Sequence, residues 1–260
     1  MDQYALITGA SKGIGKSIAI ALAKRKFNLL LIARSAAELE ELKVSLMATC
    51  NVKVAILVLD LSAQGAAEKV HDWCQQNSYA IFALINNAGF GLWGDFEQIP
   101  INEQLNMLQL NVMALTELTH HMIPSLKKQH QSYILNIAST AAYQAVPTLA
   151  VYAATKSYVL SFSRAIRVEL KKSTVSVTCI CPGPADTGFA DRAGLSAISD
   201  LADKFNMNAD VVAEIGVKAM LAKKAEVIPG FTNLVSAQAN RFLPKSLVEW
   251  VVSNIYKTKE

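Results

Sequence analysis

Short, continuously apolar runs alternate with longer amphipathic segments from one end of the chain to the other, and this alternation leaves few folds open. The runs at Tyr4–Thr8, Asn28–Ala33, Val52–Leu59, Ile81–Ile85, Ser132–Ala138, Val175–Cys181 and Glu226–Ile228 lack the polar face of a solvated sheet. Each predicts a strand covered on both sides. Between them, Gly13–Lys26, Ala36–Ala48, Ala63–Asn77, Ile101–Gln129, Ala150–Lys172 and Ala209–Lys223 carry helical periodicity. The fold class expected is therefore α/β: one doubly wound domain, with a seven-stranded parallel sheet and helices on both faces. No internal repeat and no linker rich in Pro, Gly or Ser divides it.

Composition removes several other classes. With 52% apolar and 18% charged residues the chain is not disordered. Its net charge of +4 is dispersed, and no basic run exceeds the pairs Lys127-Lys128, Lys171-Lys172 and Lys223-Lys224, so nucleic acid is not expected as a partner. The four cysteines, Cys50, Cys74, Cys179 and Cys181, have neither zinc-site spacing nor the density of a disulfide framework. No metal and a reducing, cytoplasmic location are expected. Met1-Asp2-Gln3-Tyr4 leads directly into the first strand without a signal-peptide pattern, and no apolar stretch is long enough to predict a transmembrane span.

The first strand ends in Thr8-Gly9-Ala10-Ser11-Lys12-Gly13-Ile14-Gly15, which opens the first helix. Glycines let a turn approach a pyrophosphate closely, and the unpaired N–H groups of a helix N-terminus face it. A tight turn without a ligand is the alternative. The spacing of Gly9, Gly13 and Gly15 resembles the T-G-x-x-x-G-x-G pattern of the short-chain dehydrogenase/reductase family, a Rossmann-type fold, and Asn86-Asn87-Ala88-Gly89 after the fourth strand resembles its N-N-A-G motif. The resemblance implies that Gly9, Ser11, Lys12, Gly13, Ile14, Gly15, Asn87, Ala88 and Gly89 line a nicotinamide dinucleotide.

After the second strand, where an acid would receive the adenosine ribose hydroxyls, the chain has Ala33-Arg34-Ser35. Arg34 offers a planar fork to a 2′-phosphate and Lys12 a second positive charge. NADP(H) is expected over NAD(H), in agreement with the basic residues that NADP-preferring family members carry here. Asp60 and Leu61 match the family's residues beside the adenine, although Asp60 also suits a helix N-terminus.

Tyr152-Ala153-Ala154-Thr155-Lys156 sets a phenol and an ammonium one helical turn apart on one face. Ser139 lies thirteen residues upstream and Asn111 within the preceding long helix. Together they match the family's Asn-Ser-Tyr-Lys set in kind and order. Reducing a carbonyl builds negative charge on oxygen, which must be stabilised and protonated. Tyr152 would supply the proton and Lys156 would lower the phenol's pKa; the resemblance implies that both also contact the cofactor, Lys156 holding the nicotinamide ribose. Ser139 would orient the substrate oxygen, and Asn111 would bend its helix and help a proton path to solvent. Pro182-Gly183-Pro184-Ala185-Asp186-Thr187 resembles the P-G-x-x-x-T segment that lines the nicotinamide, with Pro182, Gly183 and Thr187 as contacts.

These features predict an NADPH-dependent oxidoreductase that reversibly reduces a carbonyl to a secondary alcohol. The alternatives are a silent NADP-binding regulatory or scaffold protein, which should lack part of the tetrad, and an extended-type epimerase or dehydratase, which should space its glycines differently. The expected cleft mouth is apolar: Phe90, Leu92, Trp93, Val146 and Leu149, with Phe189, Leu195, Phe205 and Met207 from the irregular stretch after the sixth strand. A small apolar carbonyl or alcohol fits such a wall, with Arg192 and Lys204 available to a carboxylate. The resemblance accounts for residues 1–231. Residues 232–260 read as a separate tail whose apolar stripe (Leu247, Val248, Trp250, Val251, Val252, Ile255, Tyr256) packs on the domain or a partner subunit, or rests on a membrane surface. Family members form homodimers or homotetramers through their two long helices, implying the same here.

Overall fold

The computed structural model describes residues 2–186, 206–240 and 243–255. Seven parallel strands form the main sheet in the order β3-β2-β1-β4-β5-β6-β9: β1 Gln3–Thr8, β2 Asn28–Ala33, β3 Val54–Val58, β4 Ala80–Asn86, β5 Ser132–Ile137, β6 Val175–Ile180 and β9 Glu226–Val227. Successive side chains point to opposite faces, and both faces are covered. In β1, Ala5 and Ile7 enter one core and Leu6 the other, all three fully buried. The first core is completed by α1 (Gly13–Lys24), α2 (Ala36–Cys50) and α7 (Ala209–Leu221) through Ile18, Leu22, Leu42, Val212 and Val217. The second is completed by α3 (Ala66–Gln76), α5 (Leu115–Lys127) and α6 (Ala150–Glu169) through Val70, Leu118, Met122 and Ile166.

The sheet grows outward in both directions from the β1–β4 pair, so the chain's winding reverses there, with Ile7 paired to Leu31 on one side and Ile85 on the other. A crevice opens beyond the carboxyl ends of two such strands, the usual ligand position in open parallel sheets. The glycine turn after β1 and Asn87-Ala88-Gly89 after β4 meet at this crevice.

Element boundaries move for local reasons. Helices α1 and α7 stop short of their expected ends because Lys26 (φ 65°) and Lys223 (φ 56°) are left-handed. Helix α3 starts at Ala66 because Gly65 has φ 70°. The single helix expected over Ile101–Gln129 comprises α4 (Ile101–Leu108), a π-helical stretch (Gln109–Ala114) and α5. The irregular stretch after β6 has its two ends joined: Ala185–Asp186 (β7) pairs in parallel with Met207–Asn208 (β8). Two elements had no strong sequence signal, a 3-10 turn at Thr140–Tyr143 and helix α8 at Phe231–Ala239. The tail stripe forms α9, Lys245–Ile255, which packs on its own domain: Val252, 5% exposed, joins a cluster with Phe90, Met107, Val146, Leu149 and Tyr152.

Candidate active site

The glycine turn is closed against backbone. Gly9 is left-handed (φ 64°), and a Cβ on Gly15 would stand 2.2 Å from the Gly9 carbonyl oxygen. Thr8 Oγ1 accepts the backbone N–H groups of Asn87 and Ala88, both at 3.0 Å, and the Asn87 side-chain amide donates to the carbonyls of Thr8 and Gly9 at 3.0 and 3.1 Å. These bonds lock the two motifs into one ledge. Helix α1 starts at this ledge with no side-chain cap and no acid in its first turn, which leaves its positive end available to an anion. A turn with no room for a Cβ at Gly9 or Gly15, at an uncapped helix start in the sheet's crevice, fits a dinucleotide pyrophosphate. Ile14 packs against the first core and Leu61 within the second, so their side chains brace the site.

At the adenosine end the expected cations already face carboxylates. Lys12 Nζ is 2.8 Å from Glu38 Oε1, and Arg34 Nη1 is 3.9 Å from Asp60 Oδ2. Asp60 also accepts the backbone and hydroxyl of Ser62, at 2.9 and 2.7 Å, fixing the turn after β3.

At the other end, Tyr152 and Lys156 lie one turn apart on α6, both largely buried, with Nζ 5.7 Å from the tyrosine ring centre. Lys156 donates to Ile137 O at 2.9 Å, and burial pulls its ammonium down to about 8. A Cβ on Gly89 would stand 2.9 Å from Asn111 Oδ1 and 3.6 Å from Lys156 Nζ, so glycine here lets three segments converge. Asn111 sits in the π-helical stretch and is 2% exposed. Its amide donates to Phe90 O (2.9 Å) and Thr155 Oγ1 (3.1 Å), and its Oδ1 accepts from Phe90 N (3.1 Å). The carboxamide is engaged by protein atoms that pin Phe90 and α6. Ser139 follows β5 by two residues in extended geometry, its Oγ accepting from Ala141 N at 3.1 Å to start the 3-10 turn.

After β6, Pro182 O accepts from Thr140 N at 2.9 Å, tying the Pro-Gly turn to the segment after Ser139. A Cβ on Gly183 would meet the side chain of Asn233, from α8, at 2.5 Å. The other end of α8 is held by a bond from Asn240 Nδ2 to Gln144 Oε1. Thr187, Phe189, Arg192, Leu195, Lys204, Phe205 and Tyr256 lie outside the described residues. Among those described, no three His, Cys, Asp or Glu side chains gather as a metal site.

Sequence reasoning missed Thr155, Glu38 and Asn233. Thr155 lies inside the Tyr-Lys motif, and its Oγ1 donates to Tyr152 O at 2.7 Å while accepting from Asn111. Glu38 lies in the first turn of α2 and faces Lys12 from the glycine turn, 26 residues earlier, a pairing that no local spacing announces. Asn233 carried no signal, because nothing local links the tail to the Pro-Gly turn.

Comparisons with known proteins agree with this fold. A family model described as short chain dehydrogenase matches residues 3–196. Human 17-beta-hydroxysteroid dehydrogenase type 3 is 28% identical over 242 residues, covering 92% of this chain and 77% of that protein. Ketoacyl reductase HetN of Nostoc sp. is 32% identical over 230 residues, covering 86% and 77%. A solved short-chain dehydrogenase from Sphingobium yanoikuyae in complex with NADPH superposes with a TM-score of 0.83 at 27% identity, covering 100% of this chain and 98% of that one.

Proposed function

The chain belongs to the short-chain dehydrogenase family, whose members are oxidoreductases acting on CH–OH groups, and from that premise we propose that it reversibly reduces an apolar carbonyl to a secondary alcohol with NADPH. The observation that carries the reading is the convergence of Asn111 and Lys156 on Gly89, with the Lys156 ammonium 5.7 Å from the Tyr152 ring, beside a ledge built to seat a dinucleotide.

The nicotinamide, when bound, supplies the hydride. Tyr152 gives its phenolic proton to the carbonyl oxygen as negative charge develops there. Lys156, held by Ile137 O, favours the resulting phenolate through its positive charge, and that charge is present below about pH 8. Ser139 Oγ holds the substrate oxygen beside the phenol. Asn111 and Thr155 fix α6 against the Gly89 ledge, so the phenol and ammonium keep their spacing. Gly9, Ser11, Lys12, Gly13, Gly15, Asn87 and Ala88 would hold the pyrophosphate and riboses, Asp60 the adenine side, and Pro182 and Gly183 the nicotinamide side. Arg34 and Lys12 would receive the 2′-phosphate.

Phe90, Val146, Leu149 and Val252 form the apolar wall next to Tyr152. Trp93 adds an indole N–H that is shielded and has no hydrogen-bond partner among the described residues. An extended apolar ketone suits this wall, in keeping with the hydroxysteroid and ketoacyl substrates in the relatives' names. Exposed Ile101, Leu105, Leu108 and Tyr158 on the two long helices support a homodimer or homotetramer. Exposed Leu247, Trp250 and Val251 on α9 supply the surface for a peripheral membrane contact. Four unpaired, buried cysteines accord with a cytoplasmic setting.

A panel of apolar ketones and 3-ketoacyl thioesters, followed by loss of NADPH absorbance, tests the reading. Turnover of at least one apolar ketone is expected. Turnover confined to small polar aldehydes would contradict the substrate class.

A further inference from the structure

The adenosine end of the crevice contains a carboxylate where an anion-binding site needs only cations. Glu38 stands in the first turn of α2, and its Oε1 lies 2.8 Å from Lys12 Nζ. Its Oε2 is shielded from solvent and makes no hydrogen bond among the described residues. Lys12 chiefly, with smaller contributions from Ser11 and Ser35, holds the Glu38 carboxyl below the usual carboxylate range. The groups around Glu38 are thus an ammonium and two hydroxyls, the kind of set that recognises a phosphate. Arg34, the other cation expected to receive the 2′-phosphate, faces Asp60 at 3.9 Å. Two cations and two carboxylates leave this end of the crevice with no net charge.

We propose that Glu38 is a cofactor-selectivity residue: it occupies the place of the 2′-phosphate in the nucleotide-free protein, must release Lys12 when NADPH binds, and so lowers the preference for NADPH over NADH. The proposal rests on the reading that Lys12 and Arg34 receive that phosphate. NADH carries a hydroxyl at this position and brings no charge that Glu38 would repel. Glu38 therefore opposes one cofactor and leaves the other nearly untouched. The pair is largely exposed on the lysine side, so its effect is that of a surface ion pair, worth a few-fold in affinity and screened by salt.

Dissociation constants for NADPH, NADH and adenosine 2′,5′-bisphosphate are to be measured with the wild-type protein and Glu38→Gln at low and high salt. Glu38→Gln is expected to tighten NADPH and the bisphosphate by roughly fivefold at low salt, to change NADH less than about twofold, and to lose most of the gain at high salt. Glu38→Lys should extend the gain in the same direction. Unchanged or weaker NADPH binding in both variants, or an equal gain for NADH, overturns the proposal. If wild type prefers NADPH and neither variant shifts the ratio, the selectivity role of Glu38 falls while the cofactor reading stands. If wild type favours NADH and Glu38→Gln shifts the ratio toward NADPH, the selectivity role stands and the NADPH preference falls.

Discussion

Two turns in this protein have no room for a side chain, and they are closed in different ways. At the glycine turn the obstacle to a Cβ on Gly15 is the Gly9 backbone at 2.2 Å, with Asn87 Nδ2 at 2.4 Å behind it. At the Pro-Gly turn the three atoms nearest to a Cβ on Gly183 all belong to the side chain of Asn233, from a helix some fifty residues later in the chain. The first turn is built from residues close in sequence and from a motif partner on the adjacent strand. The second depends on a tail with no motif of its own. A backbone obstacle cannot be removed by mutation, whereas a side-chain obstacle can, and this separates the two ends of the nucleotide crevice experimentally.

The largest effect is expected from Gly15→Ala. Its methyl group has nowhere to go without moving β1 from α1, so nucleotide binding should be lost and stability should fall by about 3 kcal/mol in a denaturant titration. Adding Asn87→Gly should recover neither, because the Gly9 carbonyl remains. Gly183→Ala should reduce turnover roughly tenfold while binding of adenosine 2′,5′-bisphosphate, which lacks the nicotinamide, stays unchanged. Here Asn233→Gly in the same chain should restore most of the loss, giving a coupling term of about 1 kcal/mol in a double-mutant cycle. If the rescue works at Gly15 and fails at Gly183, the contrast between the turns is wrong.

Lys156 provides an effect on stability of the opposite sign. Burial lowers its pKa from 10.5 to about 8, so at neutral pH the native state carries a buried charge that costs about 3 kcal/mol. Lys156→Met should therefore be inactive and more stable than wild type at pH 7 by roughly 1 to 3 kcal/mol. Between about pH 8 and 10.5 the native lysine is neutral and the unfolded one still protonated. The unfolded state then binds more protons, wild-type stability rises with pH relative to Lys156→Met, and the gap narrows. Unfolding curves at pH 7 and 10 measure this, and a constant gap would show that Lys156 is not held against a burial cost.

The same contrast explains what could be read without a structure. Strands buried on both faces announce themselves as unbroken apolar runs, and β2 keeps its expected bounds at Asn28–Ala33. Gly9, Gly13 and Gly15 were legible because the turn that needs them is local. Tyr152 and Lys156 were legible because helical spacing sets them on one face and because Ser139 and Asn111 precede them in the order of the family's set. The π-helical stretch was not, because Asn111 takes its partners from Phe90 and Thr155, 21 and 44 residues away. The packing of Val252 in the cluster that holds Tyr152 was equally hidden, since an apolar stripe shows that a helix is covered and not by what. The charges of Lys12 and Arg34 were visible in the sequence, but their pairing with Glu38 and Asp60 is a property of the folded crevice.

The central claim is that Tyr152 delivers the proton in carbonyl reduction while the ledge around Gly89 seats the nucleotide without it. Tyr152→Phe, assayed with NADPH and the best ketone of the panel, tests this directly when nucleotide affinity is measured on the same sample. An NADPH dissociation constant within about twofold of wild type, with turnover lower by at least roughly a thousandfold, is the expected result. Turnover within tenfold of wild type at full NADPH occupancy would contradict it.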